Sequence, residues 1–129
     1  MMPAARRNEL PLAGLNGGEQ FEERRIEWGD MDVAHTQFPP GNLAPFLKGL
    51  PDDRCQCPHW GFVFKGRIVV RYADHEETIE AGQSFYMAPG HVPEAVEECE
   101  IVQFSPAEAM RVTDAAMARN LAALRAGAH

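Results

Sequence analysis

Residues 60–72 read WGFVFKGRIVVRY. Two runs rich in Val, Ile, Phe and Tyr, WGFVF and RIVVRY, flank Lys65-Gly66. Short runs of such residues are strand signals, and a two-residue loop ending in Gly reads as a tight hairpin. The pattern continues outward. ADHEE is a turn, ETIEAG a short strand ended by Gly82, and SFYM another strand before the turn APGHVPE. CEIVQF follows as an apolar strand. Upstream, FEERRIEW (21–28) and MDVAHTQF (31–38) alternate apolar and polar side chains and are parted by Gly29-Asp30. FPPGN is a turn, and APFLKGL a helical turn or irregular loop. Many short strands at regular spacing imply an all-β sandwich or barrel, not a parallel α/β sheet.

The two ends differ from this body. Residues 1–20 include PLAGLNGGEQ, Gly-containing with little periodicity, and read as an extended N-terminal arm. The barrel spans 21–105. From 106 to 129 the period changes: Met110, Thr113, Met117, Leu121 and Leu124 recur at spacings of three and four, one face of a C-terminal α-helix. SPAE at 105–108 reads as its start, with Ser105 as N-cap, Pro106 at N1 and Glu108 completing a capping box.

The chain has 129 residues, 19 acidic against 12 basic side chains, and a net charge of -7. That length suits one domain with a real core. The acidic balance argues against a nucleic-acid partner, because it repels phosphate. No apolar run suits a membrane span, and MMPAARRNEL lacks the apolar core of a secretory signal. A cytoplasmic location with reduced thiols is therefore expected.

The chemistry concentrates in CQCPHW, residues 55–60. It holds Cys55, Cys57 and His59, in a chain with 3 Cys and 5 His. On a strand these three alternate positions face one way. Pro58 limits the regularity of that strand. A metal site, a redox pair and a polar turn are the readings of this cluster; redox use would require an exposed, low-pKa thiol.

HWGFVFKGRIVVRY followed by ETIEAGQSFYMAPGHVPEAV resembles the two-part signature of the cupin superfamily, over roughly residues 22–105. The first motif is written G-x5-H-x-H-x3,4-E-x6-G. His59, six residues and Gly66 match its second half, with His in the Glu position. The second is G-x5-P-x-G-x2-H-x3-N; Gly82 and Gly90 keep its spacing, while Pro89 lies one place late and His91 two places before the motif's His. The stretch also looks like that of small bacterial cupins with a CPHWG-type first motif. The resemblance implies a cupin jelly-roll barrel. Strict alignment puts Asp53 and Cys55 at the two His positions and Pro93 at the final His; a small shift uses Cys57, His59 and His91 instead.

The resemblance further implies that the turn bearing His91 returns to the strand of the first motif. Cys55, Cys57, His59 and His91 would then form a Cys2His2 set, for which zinc is the expected ion. Four protein ligands would make a closed, structural site. Three would leave a position for water or substrate. The fold accommodates a metal-dependent dioxygenase, isomerase or lyase, a non-catalytic metal-binding cupin, or a metal-free ligand- or partner-binding domain. The expected function is that of a metal-binding single-domain cupin of unassigned small-molecule function.

Other residues carry two readings each. Glu94 and Glu97 could serve as acid or base near His91, or form a solvated rim. His35 could point into the barrel or be an ordinary surface or core histidine. Cys99, in EECE, reads as a half-buried thiol. Trp60, Phe62 and Phe64 share the face opposite His59 and Val63. If His59 points inward, the aromatics point outward and require a cover, which leads us to expect a homodimer.

Overall fold

The structure is a computed structural model, and it describes residues 4–12 and 22–127. Strands β1 (Glu22–Trp28) and β2 (Met31–Phe38) form the expected antiparallel pair, with Glu23 opposite Thr36 and Trp28 opposite Met31. They join β9 (Cys99–Pro106), β4 (His59–Lys65) and β7 (Ser84–Met87) in a five-stranded sheet of order β1-β2-β9-β4-β7. The second sheet has order β3-β8-β5-β6, from β3 (Gly41–Asn42), β8 (Val92–Ala95), β5 (Arg67–Arg71) and β6 (Glu76–Glu80). Two antiparallel sheets face one another, a jelly roll with helix α1 (Ala107–Ala126) at its C-terminal end.

The Lys65-Gly66 turn is not a hairpin. β4 and β5 belong to different sheets, and the chain crosses from one layer to the other at Gly66. Gly66 has φ +94°, and a Cβ there would lie 2.4 Å from the Glu98 carbonyl oxygen and 2.6 Å from Cys99 Sγ. The corner is pressed against the start of β9, which leaves no room for a side chain. The hairpin partner of β5 is β6, joined through the ADHE turn, with Ile68 opposite Ile79.

Alternation on these strands builds the core. Val63, Ile68, Val70, Ile79, Phe85, Met87, Cys99 and Ile101 are all buried between the sheets. Cys99 is fully buried rather than half-buried, its thiol directed at the Glu97 carbonyl. A second cluster joins Leu47, Leu50, Cys55 and Cys57 to Met110 and Ala116 of α1. The helix buries Ala107, Met110, Thr113 and Ala116, while Leu124 is exposed.

Two further contacts seat the helix. Arg25 of β1 makes two bonds to Asp114, at 2.7 and 3.0 Å, and bonds Asp32 at 2.9 and 3.1 Å. Asn120 donates to the carbonyls of Phe46 and Lys48. The capping box expected at SPAE does not form. Pro106 occupies the N-cap with no side-chain hydrogen bond, and Ser105 is the penultimate residue of β9. Of the arm, residues 4–12 lie along β1: Leu10 is buried and Leu12 bridges Arg24. The rest of the expected arm, residues 1–3 and 13–20, and the end of the tail lie outside the described residues.

Candidate metal centre

Three of the four expected ligands come together. One donor atom each from Cys55, His59 and His91 lies within 4.8 Å of the other two, and all three residues are buried. Their backbones explain the meeting. His59 is the first residue of β4 and faces inward, with Ser105 of β9 across from it. Cys55 and His91 form an isolated antiparallel bridge: Cys55 N–H donates to His91 O at 3.0 Å, and Gly90 N–H to Cys55 O at 2.8 Å. The PG turn therefore does return to the strand of the first motif.

Each side chain is oriented by a neighbour. His91 Nδ1 is 2.6 Å from the carbonyl of Ala88. A carbonyl only accepts, so Nδ1 carries the hydrogen and Nε2 keeps its lone pair. His59 Nδ1 is 2.7 Å from the fully buried Ser105 hydroxyl, and its Nε2 faces Cys55 Sγ at 3.7 Å. Cys55 Sγ also contacts Thr113 Oγ1 of α1 at 3.4 Å. The two imidazoles meet edge-on, ring centroids 4.9 Å apart.

The electrostatics favour neutral groups. Burial, helped by His91 and Arg25, pushes His59 down to about 3, and burial also lowers His91. Both are thus uncharged near neutral pH, the form that binds metal. Burial raises Cys55, against the opposing Thr113 hydroxyl. Two imidazole nitrogens and one thiol fit a divalent ion. Zinc bond lengths of about 2.0–2.3 Å with tetrahedral angles put neighbouring ligand atoms about 3.6 Å apart. The Cys55–His59 separation of 3.7 Å matches that edge.

Cys57 is not part of the group. Its side chain is buried among Leu47, Leu50 and Met110, with Sγ 3.5 Å from the Pro58 carbonyl. It stays close to the group all the same, since Cys55 and the Ser105 hydroxyl both act on its thiol. Burial, with Cys55 alongside, pushes the Cys57 thiol up to about 12. Buried thiols with raised pKa values are poor redox nucleophiles, which removes the support for a redox pair. Neither alignment of the cupin motif gives this triad: it takes Cys55 from one and His91 from the other. Asp53 accepts from Gly49 N–H in a turn, and Pro93 offers no donor atom.

A cavity of about 290 Å³ opens beside the triad. Cys55, His59, His91 and Thr113 line one side, and Phe38, Ile68, Met87 and Ile101 the apolar middle. Glu94 pairs with Arg71 on the second sheet, as a rim group would. His35 does not enter the barrel; it stacks on Phe64 at 6.3 Å on the outer face. Ser105 and Thr113, whose hydroxyls contact His59 and Cys55, are neighbours of the group that sequence reading missed. SPAE imitates a helix cap, and Thr113 sits in an otherwise apolar stripe, where only its polarity was a signal.

Among solved structures the chain is similar to an RmlC-like cupin from Shewanella frigidimarina, with TM-score 0.59, 12% identity, and 82% of this chain and 92% of that one covered. A variant of oxalate decarboxylase from Bacillus subtilis aligns at TM-score 0.54 and 12% identity, over 78% of this chain and 28% of that one. The polyketide cyclase RemF from Streptomyces resistomycificus aligns at TM-score 0.54 and 14% identity, over 83% and 80%. No family model and no curated protein matches. Two facing antiparallel sheets and these neighbours together establish that the chain has the cupin jelly-roll fold.

Proposed function

We infer that the protein is a metal-binding cupin that acts on a small molecule in its barrel, with Cys55, His59 and His91 as ligands and zinc as the ion. The observation that carries this reading is the convergence of three buried donors within 4.8 Å on the wall of a cavity. Three protein ligands leave a coordination position open, the arrangement of catalytic rather than structural zinc. This favours an enzyme of the isomerase or lyase kind over a closed staple, because zinc is redox-inactive and a dioxygenase would need a redox-active ion in its place. A divalent ion held there supplies Lewis acidity toward an oxygen of the bound molecule. The chain itself does the positioning. Ala88 and Ser105 fix the two ring orientations, Thr113 steadies the thiol, and the apolar walls exclude water.

The test is elemental analysis of protein purified anaerobically without chelators. Wild type and Cys57→Ser should carry close to one ion per chain, and Cys55→Ser and His91→Ala far less. Wild-type protein without metal would sink the reading, whereas metal loss in Cys57→Ser would point to a closed Cys2His2 staple.

The same reading includes a homodimer and a cytoplasmic location. An apolar row crosses the outer face of the five-stranded sheet: Ile26, Val33, Phe104, Trp60 and Tyr86 are successive register partners. Trp60 is 44% and Tyr86 50% exposed. A second copy of the chain would cover that row. Cys55, Cys57 and Cys99 are free thiols, which suits a reducing compartment. No helix among the described residues is long and apolar enough to cross a membrane.

A further inference from the structure

The cavity has a second polar wall. On the inward face of the five-stranded sheet Glu23 stands opposite Thr36, and Thr36 opposite Ile101. Gln103 is two residues further along β9, on the same face. Glu23, Thr36 and Gln103 all line the cavity. Glu23 is 9% exposed and Thr36 7%, so bulk water is excluded from both. Arg25 approaches Glu23 at 3.4 Å, but its shorter bonds go to Asp32 and Asp114. Burial raises the pKa of the Glu23 carboxyl, against the pull of Arg25.

The lining also limits the charge of an occupant. Among the described residues no Lys or Arg lines the cavity. A phosphate or a second carboxylate would be buried there without a counter-charge, which is costly. The volume, about 290 Å³, is that of about ten water molecules.

We propose that the cavity binds a small molecule with an apolar body, at most one negative charge, and a polar group at each end. One end meets Cys55, His59 and His91. The other, a hydroxyl, carbonyl or amide, pairs with Glu23, Thr36 and Gln103. The first end rests on the metal-binding reading given above; the second does not.

Calorimetric titration with four probes tests both ends. Benzohydroxamate has a chelating end and an apolar ring; 4-hydroxybenzohydroxamate adds a hydroxyl, and 4-sulfobenzohydroxamate adds a charge. On zinc-loaded protein the hydroxyl should tighten binding about tenfold, and the sulfonate should weaken it by at least about tenfold. The hydroxyl's advantage should fall to about onefold in Glu23→Leu. An advantage that persists in Glu23→Leu and Gln103→Leu, or a sulfonate that binds as well as the hydroxyl, overturns the proposal. If thermal unfolding shows Glu23→Leu to be misfolded, Gln103→Leu and Thr36→Val carry the comparison. If the protein takes up no zinc, the metal reading fails by itself. 4-Ethylphenol on metal-free protein then decides the second wall: binding weakened by these substitutions supports it, and absent or insensitive binding overturns it.

Discussion

Ser105 offers two incompatible roles, and one substitution separates them. Read as a helix cap, its hydroxyl would hold the first turn of α1, and Ser105→Ala would cost about 0.5–2 kcal/mol through lost helix stability. In the structure it instead contacts His59 Nδ1 at 2.7 Å, and Ser105 is 0% exposed, so no water can replace it. Its removal leaves a buried ring nitrogen without its partner, a penalty of about 1–3 kcal/mol in the metal-free protein. The ring also loses what fixes its rotation, and loss of such a supporting bond typically lowers metal affinity about 10–100-fold. We expect a zinc affinity reduced by that factor in competition with a chromophoric chelator, with the far-UV circular dichroism of α1 unchanged. A zinc affinity within about twofold of wild type would refute the role assigned to Ser105. Lost helicity with intact affinity would restore the cap.

Further expectations concern charge, packing and assembly. Folded metal-free protein holds His59 neutral down to about 3, against 6.5 when unfolded, so the unfolded chain binds the extra proton between these values. Stability should therefore fall as pH drops from 6.5 toward 3, by about 1.4 kcal/mol per pH unit for this group. Glu23 and Asp32, whose pKa values are raised, act in the opposite sense, so the measurement is the difference between wild type and His59→Gln in urea unfolding; equal slopes would refute it. Arg25→Met strands Asp32 and Asp114, and should cost about 3–5 kcal/mol in chemical unfolding, a loss that Arg25→Lys does not fully recover. Gly66→Ala forces a side chain into a left-handed corner against β9; backbone strain alone is about 1–2 kcal/mol, and a fall in melting temperature checks it. Trp60→Glu should shift the light-scattering mass from dimer to monomer; an unchanged mass, or a wild-type monomer, would refute the outer-face interface.

The strands were readable because each has one buried face, and alternation records burial directly. β1 and β2 fall within a residue of their expected bounds for that reason. Which strands pair is a long-range fact that local signals do not carry. Lys65-Gly66 shows the same turn chemistry whether the next strand folds back beside β4 or passes to the opposite sheet. Only the backbone of Glu98 and Cys99 against Gly66 distinguishes them, and those residues lie far along the chain. The site followed the same division. Dense Cys and His marked CQCPHW, but spacing did not tell which thiol would meet the two imidazoles, and the partners Ser105 and Thr113 come from other elements. Glu23 looked like an ordinary polar position on an alternating strand; burial on the cavity side becomes visible only when the barrel closes.

The bridge between Cys55 and His91 has a consequence for the order of assembly. These residues are joined by backbone hydrogen bonds, yet β4 through β7 lie between them in the chain. The bridge keeps the antiparallel register in which His59 faces Met87, so the thiol and the imidazole become neighbours once β7 has paired with β4. An ion therefore finds no complete set of ligands on a chain in which β7 has not yet paired with β4, in contrast to a zinc finger, whose fold waits for its metal. Here metal capture would report the pairing of β4 with β7, strands that β5 and β6 of the other sheet separate in the chain. The two main-chain partners would hold the pocket in register while the ion is absent, so that loading and unloading can proceed on a folded protein.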